Sequence, residues 1–223
     1  MRRFDVLTFD CYGTLIDWER GIAEAFEAAA RADGVTLARA AVLRAYHEVE
    51  PRVQAERYRR YRDVLALAAR AVADRLGWAL APGREAFLAE SLPAWPPFSD
   101  TNAALRRLRD AGHRLIILSN VDDDLIESTR RHLAVEFDAV ITAEQVGSYK
   151  PGPGHFEAAR KRTGGAPWLH VAQSYFHDIQ PARALGIPSA WINRKGERAL
   201  DDRGPDHEFR TLAEAAAFLT EPV

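Results

Sequence analysis

The chain has 223 residues, 47% of them hydrophobic and 28% charged, with 30 Lys and Arg against 32 Asp and Glu for a formal charge of −2. That length suits one sizeable domain, or a core with a smaller inserted one, and the near balance of charge excludes the clustered basic excess of a nucleic-acid-binding protein. The densest basic run, Arg57–Arg62, lies in a helical pattern beside Asp63 and reads as a solvated helix face. One cysteine, Cys11, rules out an internal disulfide and fits a reducing compartment. No apolar run approaches the ~18 residues of a membrane span, and the first residues lead into a strand without a charged-then-apolar leader. A cytoplasmic protein with neither membrane nor nucleic-acid partners is expected.

The first element is a strand, Asp5–Phe9, within DVLTFDCYGTLID (Asp5–Asp17). Its apolar run delivers Asp10 to a sheet edge, and Gly13 and Thr14 follow within four residues. From Trp18 to about Ala94 the pattern is almost purely helical. Ile22, Ala25, Phe26 and Ala29 form one stripe, and Val64, Leu65, Leu67, Ala68, Val72 and Leu76 form another. Breaks at Gly34, Pro51 and Gly77 give helices near 19–33, 37–54, 56–76 and 83–91. The stretch LPAWPPFSD (Leu92–Asp100), with three prolines, is a stiff return, and Tyr58, Trp95 and Phe98 are candidates to line a boundary there.

Beyond it, a helix from Asn102 to Ala111 leads to a strand at His113–Asn120. Further strands at Phe137–Thr142, Trp168–Gln173 and Pro188–Asn193 alternate with helices starting near Asp123, His155 and Asp178. Short apolar strands joined by helical crossovers predict an α/β fold, a Rossmann-like parallel sheet with helices on both faces. The core is expected in residues 1–16 and 97–223, with an inserted helical domain at 17–96.

In such sheets ligands bind beyond the carboxyl ends of the strands. Those ends carry Asp10, Tyr12 and Thr14; Ser119, Asn120 and Asp122; Lys150 before Pro151; and Gln173, Ser174, Tyr175, His177 and Asp178. Each alone fits a local cap. Their coincidence on four segments points to a site.

Taken together, FDCYGTL, ILSN, EQVGSYKP and HVAQSYFHD resemble the haloacid dehalogenase superfamily, and with AWINRKG they look like its type II 2-haloacid dehalogenase branch. The resemblance spans the chain, the helical insertion matching the family's cap domain. It implies that Asp10 is a nucleophile, held in line and partly desolvated against an electrophile. Phosphatases of the superfamily carry a second aspartate where this chain has Tyr12, to protonate the leaving alcohol. A phenol of pKa ~10 does that poorly at neutral pH, but halide needs no proton, so Tyr12 would wall an apolar pocket.

Phosphatases also add carboxylates to hold magnesium. Here Gln173 takes the first of those positions and Asp178 alone stays acidic, so no cofactor or metal is expected. Lys150 would keep Asp10 ionised. Thr14, Ser119 and Asn120 would orient Asp10 or bind the substrate carboxylate, and Asp178 would position or activate the hydrolytic water.

Type II dehalogenases usually show serine, serine and asparagine where this chain has Gln173, Ser174 and Tyr175, so Tyr175 would substitute in the pocket, beside Ser174 and the adjoining Cys11. The family receives halide on a cap arginine, and Arg44 in AVLRAYHEVE is the nearest candidate. His177 would tune Asp178. The resemblance also implies a homodimer acting on a small 2-halocarboxylate to give the 2-hydroxy acid. Three alternatives stay open: a magnesium-dependent phosphatase on Asp10 and Asp178, a hydrolase of another small carboxylate-bearing electrophile such as a strained ring, and a binding protein without turnover.

Overall fold

The computed structural model describes residues 3–221. Its chain runs β1 (Val6–Phe9), α1 (Trp18–Ala32), α2 (Arg39–Glu56), α3 (Tyr61–Arg75), a short α4 (Phe87–Ser91), α5 (Thr101–Asp110), β2 (Arg114–Ser119), α6 (Asp123–Arg130), β3 (Ala139–Thr142) and α7 (Ala143–Val146). There follow α8 (Gly154–Thr163), β4 (Trp168–Ala172), a π-helical turn (Tyr175–Ile179), α9 (Gln180–Ala184), β5 (Ser189–Ile192), β6 (His207–Phe209) and α10 (Leu212–Thr220).

The strands form one sheet in the order β3-β2-β1-β4-β5-β6, every pairing parallel. β1 therefore sits between β2 and β4, where the winding reverses, and the crevice beyond their carboxyl ends is where such sheets take ligands. Both faces are buried. Val6, Ile116, Leu118, Ile141 and Trp168 pack with Phe156 and Ala159 of α8 and Ala182 of α9. The alternate residues Leu7, Phe9, Leu115, Ile117, Leu169 and Val171 face the other side and are wholly buried too. Short apolar strands without polar alternation are the signature of a sheet covered twice.

The chain divides into two compact units. One holds Met1–Asp17, Pro97–Asn120 and Arg131–Val223; the other holds Trp18–Pro96 and Val121–Arg130. Placing all of 97–223 with the sheet thus needs one correction, because α6 groups with the helices. The reason is local: the buried Asp122 accepts from the backbone N–H of Tyr61 (2.7 Å) and Arg62 (3.0 Å), capping the start of α3 from a distant segment. A second correction concerns Pro51, which lies inside α2 without ending it. Proline removes one helical hydrogen bond, but the buried face of Val42, Ala45, Tyr46 and Glu50 anchors the turns that lead into it.

Within the helical unit Phe26, Trp78 and Phe87 form an edge-to-face aromatic cluster, with centroids 5.1 to 6.4 Å apart. Trp95 lies across Gly21 of α1, held by Nε1–H donation to Ser91 Oγ at 3.0 Å. A Cβ at Gly21 would fall 2.2 Å from the Trp95 Cγ, at the stiff root of the side chain. Gly21→Ala would gain about 1 kcal/mol of helix propensity and lose about 1–3 kcal/mol to overpacking. A net fall in the urea midpoint is expected; a rise would show that the indole moves aside.

The same unit buries Glu50, which accepts from Gln54 Nε2 and, at 3.3 Å, from Tyr61 OH. Burial outweighs these donors and raises its pKa from 4.5 to about 7. The folded state therefore holds a proton that the unfolded chain releases, so this group makes stability fall as pH rises from about 4.5 to about 7. Glu50→Gln is expected to flatten that part of the stability–pH profile, measured by urea unfolding between pH 4 and 8.

Candidate active site

Parallel register sets the site. Phe9 pairs with Ile117 and with Val171, so β1, β2 and β4 end at one level. Asp10 leaves β1 there, its backbone N–H still bonded to Val171 O at 3.1 Å. The chain then turns sharply, with Leu15 and Ile16 N–H both donating to Cys11 O. Gly13 takes φ +103°, a conformation that side chains rarely tolerate. The turn brings Thr14 back to Asp10: its hydroxyl accepts from Gln173 N–H at 2.9 Å and donates to Asp10 Oδ2 at 2.9 Å. Because an N–H fills the acceptor side of Thr14, its single proton is directed at the carboxylate.

Lys150, only 2% exposed, reaches the same carboxylate from the loop after α7. Its Nζ donates to Asp10 Oδ1 (2.9 Å), Asp178 Oδ1 (2.6 Å) and Leu118 O (2.9 Å). Three acceptors meet the three donors of an ammonium. Asn120 fixes the lysine backbone, donating to Lys150 O (3.1 Å) and accepting from Lys150 N–H (2.8 Å). The Lys150–Pro151 peptide is cis. Asp178 lies on the π-helical turn after β4, a local geometry that recurs at functional sites.

Burial alone would neutralise Lys150, but Asp10 and Asp178 more than offset it and hold the ammonium above its ordinary value. The two carboxylates are driven apart. Burial pushes Asp10 up, and the negative charge of Asp178 adds to that against the pull of Lys150. Asp178 is equally buried, yet Lys150 and His170 together hold it below the ordinary carboxylate range. Such divergence within a buried pair marks a division of chemical roles.

Asp10, Thr14, Lys150 and Asp178 are therefore joined in one cluster. Ser119, at the end of β2, is fully buried, and its Oγ has no hydrogen-bond partner among the described residues. Other candidates need correction. Asn120 spends its amide on the Lys150 backbone rather than on an open pocket. Ser174 Oγ caps the π-turn by accepting from His177 N–H at 3.1 Å and meets His177 Nδ1 at 3.0 Å, which also engages the histidine expected to tune Asp178. Tyr175 turns into the core against Trp191, its hydroxyl donating to Asp201 at 3.1 Å. It extends an apolar cluster with Ala172, Ile179 and Trp191, because a phenyl ring gains more from that burial than a small amide would.

Cys11 is wholly buried, and burial pushes its thiol well above the ordinary value, so it is neither a thiolate nor an open surface. Tyr12 is half-buried and pairs through its backbone with Ile16. Arg44 lies exposed on α2. Phe98 lies beneath Arg194, whose guanidinium carbon stands 3.9 Å from the ring centroid, while Trp95 is occupied by Gly21.

Sequence reasoning missed three contributors. His170 on β4 places Nε2 3.0 Å from Asp178 Oδ1. Thr8, its cross-strand partner on β1, places Oγ1 2.9 Å from the other ring nitrogen. Arg194, just past β5, donates to Thr14 O (3.0 Å) and pairs with Asp100 (3.1 Å), which in turn accepts from Leu212 N–H (2.7 Å) at the start of α10. The alternation of β1 puts Thr8 on the same face as Asp10, a signal the sequence did carry. The donor set suits a resident ammonium better than a divalent cation: both carboxylates already give an oxygen to Lys150, and Gln173 offers an amide where a third would stand.

A family model described as a haloacid dehalogenase-like hydrolase matches residues 4–186. An (S)-2-haloacid dehalogenase of Pseudomonas putida is 30% identical over 225 aligned positions, covering 98% of each chain. Among solved structures, an L-2-haloacid dehalogenase superposes with a TM-score of 0.85 at 24% identity, covering 98% of this chain and 99% of that one. The L-2-haloacid dehalogenase of Xanthobacter autotrophicus with chloropropionic acid covalently bound gives 0.80 at 19% identity, with 97% and 98% covered. The structural likenesses show the fold.

The cluster makes its own demand on position 150. Lys150→Met leaves two buried carboxylates without a counter-charge, and a loss of about 3–5 kcal/mol at neutral pH is expected, shrinking at acid pH as they protonate. Lys150→Arg restores charge but not shape, since a planar fork does not supply three convergent donors, so it should stay well below wild type in both urea midpoint and activity. An arginine variant equal to wild type would reduce the site to net charge alone.

Proposed function

The chain belongs to the haloacid dehalogenase-like hydrolases, and we propose on that footing that it hydrolyses a small (S)-2-haloalkanoic acid to the 2-hydroxy acid through an ester on Asp10. The observation that carries this reading is the make-up of the buried cluster: a nucleophile, an ammonium and one further carboxylate, with no second acid beside Asp10.

The chemistry follows from that make-up. Asp10, buried and oriented by Thr14 and Lys150, attacks C2 of the substrate as the carbon–halogen bond breaks and halide leaves with the electron pair. Lys150 favours the ionised carboxylate inside the protein, against the burial that pushes the Asp10 pKa up. Halide needs no proton, so Tyr12 in place of an acid costs the reaction nothing. The unpartnered Ser119 Oγ suits a substrate carboxylate oxygen. Water directed by Asp178 then attacks the ester carbonyl, opening the bond between Asp10 and the new hydroxy acid.

No metal takes part in these steps, and Tyr12 with Gln173 argues against the magnesium-dependent phosphatase alternative. The likeness to the (S)-2-haloacid dehalogenase of P. putida supports the (S)-2-haloacid, and the covalent chloropropionate in the Xanthobacter protein supports an ester route. A cytoplasmic homodimer with the helical unit as its cap completes the reading, in keeping with the family resemblance and the single cysteine.

With 2-chloropropionate enantiomers and a chelator present, halide release from the (S) form is expected, lost in Asp10→Asn. One turnover in heavy-oxygen water should place the label on Asp10, read by peptide mass spectrometry. Because the attacking group must be anionic, kcat/KM should fall as pH is lowered through the raised Asp10 pKa. No halide from chloro, bromo or fluoro acids would overturn the reading.

A further inference from the structure

The buried polar chain does not end at Asp178. Oδ1 of that residue receives two donors, Lys150 Nζ at 2.6 Å and His170 Nε2 at 3.0 Å. An ionised carboxylate only accepts, so His170 must carry its proton on Nε2 toward Asp178. The ring is fixed from behind. Thr8 Oγ1 stands 2.9 Å from Nδ1, directly across the β1–β4 ladder, and Phe156 lies edge-on at 5.1 Å between centroids. His170 is wholly buried and touches neither Asp10 nor Lys150 by any hydrogen bond among the described residues. It is a histidine on a sheet interior whose ring is held between Thr8 on one side and Asp178 on the other.

We propose that His170, seated by Thr8, is a positioning residue for the second half of the reaction: it fixes the Asp178 carboxylate so that Oδ2 is presented to the hydrolytic water. One donor on Oδ1 would leave the carboxylate free to rotate about Cβ–Cγ; a second from a different direction removes that freedom. Lys150 alone does not suffice, because in the first half it also serves Asp10 Oδ1, and that contact changes when Asp10 becomes an ester. His170 serves only Asp178 and is unaffected by the change. The inference rests on the ester reading above and assigns this residue to one step of it.

That step balances as follows. The water oxygen bonds to Cγ of the Asp10 ester while its proton passes to Asp178 Oδ2. The tetrahedral intermediate collapses by breaking the bond from Cγ to the oxygen with which Asp10 attacked, which leaves on C2 while the water oxygen stays on Asp10. The departing alkoxide takes the proton from Asp178, giving the 2-hydroxy acid. Asp10 is left as a carboxylic acid that ionises to solvent. His170 holds Asp178 in place throughout and exchanges no proton with the substrate.

The test separates the two halves. In rapid-quench experiments with (S)-2-chloropropionate, first-turnover halide release in His170→Leu should stay within about 2-fold of wild type, while steady-state turnover falls ~10- to 100-fold, below the full value of a general base. The Asp10 ester should then accumulate, seen as added mass on its peptide. His170→Gln returns an N–H donor at the same reach and should restore most of the steady-state rate. Thr8→Val, which removes the anchor behind the ring and leaves every Asp178 contact intact, should give a smaller defect of the same kind, and it decides the matter should the leucine variant not fold. Equal slowing of burst and steady state, no ester accumulation, or a glutamine variant no better than leucine would overturn the role of His170. Absence of a halide burst and of label on Asp10 in wild type would instead overturn the ester reading, and the inference with it.

Discussion

A single ammonium buried at the end of the sheet holds the site together. Lys150 donates to Asp10 after β1, to the Leu118 carbonyl in β2 and to Asp178 after β4, so one charge ties three neighbouring segments. A charge taken out of water is tolerated only when its partners are near and complete. Its three acceptors meet that condition, and Asn120 fixes the backbone from which the side chain starts. Much of the surrounding hydrogen bonding follows from this need. The Thr14 hydroxyl and the His170 ring each satisfy a carboxylate that the lysine has drawn into the interior, and the Gln173 N–H in turn fixes the Thr14 hydroxyl.

One positive charge shared between two negative ones does not treat them alike. Besides Lys150, Asp178 has a donor in the His170 ring and Asp10 has the weaker hydroxyl of Thr14. Asp178 is thereby held ionised below the usual range, and Asp10 is left above it. In the proposed reaction the more basic carboxylate is the one suited to forming a bond to carbon.

The parallel α/β core was legible because its strands are short apolar runs separated by helical pattern, and the sheet bears this out with strand ends within two residues of expectation. Asp10, Thr14, Lys150 and Asp178 were legible because strand-end position fixes where a side chain goes. What failed was whatever depended on partners distant in sequence. Tyr175 and Ser174 stand in a motif, yet Trp191 and His177 decide where they turn. Asp122 looked like a site residue and is a helix cap for Tyr61 and Arg62. β6 and α10 were overlooked, although Thr211 and Glu214 show the spacing of a capping box, with Thr211 Oγ1 accepting from Glu214 N–H at 3.1 Å. His170 escaped notice because nothing in a strand of apolar residues marks a histidine as bonded until its neighbour across the ladder is known.

The contact between Arg194 and the Thr14 carbonyl bears on how the protein is made. Asp10 and its turn precede every other segment of the cluster along the chain. The guanidinium that steadies the turn arrives some 180 positions later, and its own partner Asp100 is completed by the N–H of Leu212. β1 likewise needs Arg114–Ile117 on one edge and Trp168–Val171 on the other before it is paired. Asp10 and its turn therefore have Lys150, Asp178 and Arg194 around them only after those later segments are made. The carboxylate is buried only once segments far apart in sequence close the sheet around it.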